Sequence, residues 1–132
     1  MTKDEQTAAE QVAAGVAFMH RVDPGWWRTD IDRPINLDDL NIDKVDNCIL
    51  AQRCPLENYD RDYPRYYWHA ALLIDTGPYE EMRINNWAEP LGFYVNGRNS
   101  DPSAMITAVT AEWKRVITEL REQAAIAAGG TR

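Results

Sequence analysis

Ala8, Val12, Val16 and Met19 recur at helical spacing near the start of the chain, with Glu10, Gln11, His20 and Arg21 off that stripe. Thr2 and Glu5 have the spacing of a capping box, in which each side chain satisfies a backbone donor at a helix start. The pattern predicts a helix from about Thr2 to Val22. Gly15 inside it weakens the helix by about 1 kcal/mol relative to alanine, and marks a place where another element can approach closely.

Asp23-Pro24 stops that helix and has the residue types of a new start, a good N-cap followed by the proline favoured at the first helical position. A short helix through Trp26, Trp27 and Asp30 is therefore predicted, ending near Asp32-Arg33-Pro34. From Ile35 to Asp43 regularly placed aliphatics are interspersed with aspartates, which reads as a structured connection, with room for one helical turn, its aliphatics inward and its carboxylates outward. Asp43 then has the position of a cap for a helix from Lys44 to Arg53, with Val45, Cys48, Ile49 and Gln52 along one face. Pro55 ends it.

The polar, aromatic run from Glu57 to Tyr63 reads as a loop. Helices are predicted over Arg65–Asp75 and Tyr79–Ala88, each closed by Gly/Pro punctuation. Leu91 to Gly97 reads as a brief extended piece with a turn at Asn96-Gly97, so a short hairpin near residues 91–98 is the most strand that the sequence allows. The last helix has the clearest pattern. After Asp101-Pro102, Ile106, Val109, Trp113, Val116 and Leu120 follow one another in steps of three and four, the spacing of a seam laid along a core or a second helix. Running to Ala128, it would be about 40 Å long, and its alanine-rich end would project or pack on another subunit. The expected fold is a mainly α single domain over residues 1–132, four to six helices, with 129–132 as a frayed tail.

Composition narrows the function classes. The chain has 132 residues, 45% of them hydrophobic and 27% charged, which fits an ordinary globule. A formal net charge of −7 disfavours nonspecific binding to phosphate backbones and anionic membranes. No apolar signal region opens the sequence and no apolar run is long enough to span a bilayer, so a cytoplasmic setting with reduced thiols is expected.

Candidate chemistry is thin. Cys48, Cys54, His20 and His69 are nominal metal ligands, but their spacing matches no paired motif, so neither a metal nor a cofactor is expected. Cys48 reads as apolar core. Asp30, Asp32, Asp38, Asp39, Asp43 and Asp46 lack the glycine and the terminal glutamate of a calcium loop. Tyr59, Arg61, Tyr63, Arg65, Tyr66, Tyr67 and Trp68 interleave arginine with aromatics; the rings are expected to pack under the long loop, and the alternative is a protein interface, which the same pairing suits. Asp60 and Asp62 offset the local positive charge there, so nucleic acid is not expected.

The order Pro24-Gly25-Trp26, Ile31-Asp32, Leu37 and Leu40, Cys48-Ile49-Leu50-Ala51-Gln52, Leu91-Gly92-Phe93, then Thr110-Ala111-Glu112-Trp113 resembles a family of small proteins of actinobacteriophages and their hosts. Those chains have a PGW…ID…CVLGQ…GF…W pattern. Ala51 stands where that family usually has glycine, and the segment from Leu56 to Met82 is longer. The resemblance implies a phage-type origin and no particular chemistry, and by association it favours a modifier of host machinery. The first functional expectation is a non-enzymatic protein that binds a host protein or itself, with a homodimer through the C-terminal helix as one form. The alternative is a small hydrolase-like enzyme using carboxylates or a cysteine such as Cys54.

Overall fold

The computed structural model describes residues 2–43, 48–54, 89–95 and 101–129. The protein is mainly helical, as its hydrophobic periodicity predicts, and no strand occurs among the described residues. Helix α1 spans Lys3–Val22, a short α2 spans Ile49–Gln52, a single 3-10 turn covers Glu89–Leu91, and α3 spans Pro102–Gly129. The helices predicted over 65–75 and 79–88, and the turn at 96–97, lie outside the described residues.

Helix α1 begins where its capping box places it. The Glu5 amide donates to Thr2 Oγ1 at 3.1 Å, and the Thr2 amide donates to Glu5 Oε1 at 3.3 Å. Its buried face carries Ala8, Val12, Gly15, Phe18 and Met19. Val16, expected on that stripe, is only partly buried, while Phe18 is fully buried beside it. The helix ends at Asp23, whose amide donates to Met19 O.

The predicted helix through the tryptophan pair does not form. Gly25 has φ +78°, outside the helical region, so residues 23–28 make two successive turns: the Trp26 amide donates to Asp23 O and the Arg28 amide to Gly25 O. Further on, side chains replace helical hydrogen bonds. Asn36 Oδ1 accepts from the Asp38 and Asp39 amides, and Asn41 Oδ1 accepts from the Asp43 amide. Ile35, Leu40 and Ile42 are buried and Leu37 is half-buried, while Asp38, Asp39 and Asp43 stay exposed, as the pattern predicts.

Of the helix expected from Lys44 to Arg53, residues 44–47 lie outside the described residues and the rest is corrected. Cys48 sits in extended backbone (φ −75°, ψ 168°) as the N-cap, which restricts the helix to Ile49–Gln52. After the 3-10 turn, Gly92 has φ +73°, and a Cβ there would lie 3.2 Å from the backbone of Val12. The 3-10 turn meets the extended piece expected from Leu91 to Gly97 only at its first residue, and it packs on α1.

Helices α1 and α3 pack on each other. The inward face of α3 is Met105, Val109, Trp113 and Ile117, spaced by four. The predicted seam of Ile106, Val109, Trp113, Val116 and Leu120 shares Val109 and Trp113, but the true stripe is rotated; Ile106, Val116 and Leu120 flank it half-buried. Trp113 is fully buried, and Gly15 leaves room for its ring. A Cβ at Gly15 would lie 2.8 Å from the Trp113 ring and would collide with Leu91 O. Trp113 stacks on Phe93 at 5.3 Å and meets the edge of Trp26 at 5.7 Å, while Phe18 meets Phe93 edge-on at 5.8 Å. The indole N–H donates to Gly92 O at 2.7 Å, so this buried polar atom is satisfied.

Candidate interaction surface

The polar groups inside this framework are engaged in holding it together. Arg53 is buried, and its guanidinium forms a two-pronged pair with Asp23 at 2.8 and 3.0 Å. Its remaining donor reaches the carbonyls of Asp32 and Arg33. Arg33 holds φ +54°, a left-handed backbone uncommon for this residue type, and its carbonyl is one of those acceptors. Arg121 plays a similar part from α3, donating to Trp27 O at 2.8 Å and to Ile35 O at 2.7 Å. Burial pushes its pKa below the ordinary arginine value. Gln52 pairs in both directions with the backbone of Asn36, and the Ile42 amide donates to Thr110 Oγ1. The segment from Asp23 to Ile42 is therefore fastened by side chains from α2 and α3 rather than by its own helix.

Both arginines are missing from the sequence-based candidates, although signals for them exist: Arg53 stands four residues after Ile49, in the same stretch as the apolar Cys48-Ile49-Leu50-Ala51, and Arg121 four residues after Ile117, which the structure buries. Each is a charge at a core-facing position, which requires a partner.

The sequence-predicted chemistry is placed as follows. Tyr59, Arg61, Tyr63, Arg65, Tyr66, Tyr67 and Trp68, together with His69, lie outside the described residues. Cys48 and Cys54 are both buried. His20 is exposed on α1, and its Nδ1 accepts from the Trp26 indole at 3.2 Å, which requires that nitrogen to carry no proton. Asp30 is held by Arg28 at 2.8 Å, and that hydrogen bond keeps its pKa below the ordinary aspartate value. Among the described residues, no group of three or more His, Cys, Asp or Glu is arranged to hold a metal ion. No described helix is long and apolar enough to cross a membrane.

What remains is surface, and the far end of α3 is the distinctive part. At 28 residues α3 is about 42 Å long. Its buried stripe stops at Ile117, and Ala125, Ile126, Ala127 and Ala128 are exposed beyond it. Ile126 is the one exposed large hydrophobic among the described residues, 46% accessible. It sits roughly 180° around the helix from Ile117, on the face that also carries Arg115, Glu119 and Glu122. On the opposite face, Ala124, Ala125 and Ala128 line a groove of about 260 Å³ with Trp27, Arg28 and Arg121. The Arg28 guanidinium lies over the Trp27 ring at 5.6 Å. The end of α3 thus offers a smooth alanine face beside a half-buried tryptophan, and an isoleucine on its other side.

A second groove, of about 910 Å³, opens between the first turn of α1 and the first half of α3. Several of its polar groups have local partners. The capping box uses Glu5, Asp101 Oδ1 accepts from the Ala104 amide, and Glu112 pairs with Arg115 at 2.7 Å. Arg115 also reaches Glu119, and the hydrogen bond to Glu112 leads in raising its pKa above the ordinary arginine value.

No family model, no curated protein and no solved structure matches this chain.

Proposed function

We propose that this protein acts by binding another protein chain, a host partner or a second copy of itself, and that the end of α3 is the contact surface. The observation that supports this reading is the continuation of α3 past its buried stripe as an alanine-rich helix with Ile126 exposed. A solvated helix end gains nothing from an isoleucine in water, whereas burying that side chain against a partner stabilises a complex by about 1.5–3 kcal/mol. Small residues such as Ala124, Ala125 and Ala128 let a second helix approach closely, and an adjacent tryptophan supplies an anchor of the type that dominates interface energies. The resemblance to phage-type accessory proteins favours the same class of function by association.

The test uses two single variants, Ile126→Glu and Ala128→Arg, because both positions are exposed and neither should disturb folding. Sedimentation velocity over a wide concentration range, with affinity capture from a bacterial lysate, should detect an assembly of the unaltered chain. Both variants should weaken that assembly at least tenfold while melting at the same temperature. An assembly that forms equally well with both variants would place the contact elsewhere on the protein.

A further inference from the structure

No further inference is drawn: the strongest candidate, the groove of about 910 Å³ between the first turn of α1 and the first half of α3, has Glu5, Asp101 and Glu112 among its lining residues, which helix capping and Arg115 already engage, and nothing in the structure shows what covers it.

Discussion

Asp23 and Arg53, 30 residues apart in sequence, form a bidentate ion pair whose side chains are only 19% and 9% exposed. Asp23 is the C-cap of α1, a position where the helix dipole disfavours a carboxylate. Arg53 supplies the opposing charge and at the same time ties down the carbonyls of Asp32 and Arg33. Removing the arginine would leave a half-buried carboxylate and two carbonyls without these donors. Arg53→Ala should therefore cost about 3–5 kcal/mol, read by urea unfolding. Arg53→Lys should recover little of this, because an ammonium cannot reproduce the planar fork. Full recovery by lysine would mean that only charge matters at this site.

Gly15→Ala separates helix propensity from packing, because the two effects have opposite signs. In a free helix the change would stabilise by about 1 kcal/mol. Here the new methyl would collide with Leu91 O and press on the Trp113 ring. A backbone carbonyl cannot swing aside, and overpacking of this kind costs about 1–3 kcal/mol. The mutant should unfold at lower urea than the parent. A more stable mutant would show that α1 and the 3-10 turn do not approach this closely.

Trp113→Ala should cost about 3–5 kcal/mol, the usual penalty for emptying a large buried aromatic site. Trp113→Phe keeps a ring against Phe93 and Trp26 but leaves Gly92 O without its indole donor. Its cost should be smaller, about 1–3 kcal/mol. Trp113 is fully buried within the chain, so neither change should alter the sedimentation of molecules that remain folded. A shift in mass at constant stability would overturn the placement of this residue.

Acid should loosen the first turn of α1 through Glu5. The amide of Thr2 and its hydroxyl hold the Glu5 carboxyl below its ordinary pKa. A carboxylate whose folded pKa is depressed contributes stability above its unfolded value, about 4.3, and loses it as pH falls through the lower folded value. The parent chain should therefore lose its advantage over Glu5→Gln below about pH 4. Melting temperatures of both proteins between neutral and acid pH decide the point. A constant difference across the range would mean that the ionised form of Glu5 contributes nothing.

The two long helices and their starts were legible in the sequence. Thr2 and Glu5 form the capping box their spacing predicts, and the apolar periodicity of 106–120 locates α3 and its central Trp113. These features depend on neighbours within a turn or two, so local chemistry determines them. Gly15 also announced a close approach, although not what approaches.

Tertiary structure decided the rest. Asp23-Pro24 has the chemistry of a helix start, yet Gly25 at positive φ turns the chain, and Trp26 is better satisfied against Trp113 and His20 than on a helix of its own. Cys48 could continue a helix by propensity, but its extended backbone ends that option. The α3 seam is rotated because the hole opposite Trp113, made by Gly15 and the 3-10 turn, fixes which side of the helix faces inward. The roles of Arg53 and Arg121 depend on carbonyls and a carboxylate 20 to 94 residues away. A periodic pattern specifies that a face is buried; only the partner that fills it specifies where the face points and which charges must be neutralised along its edge.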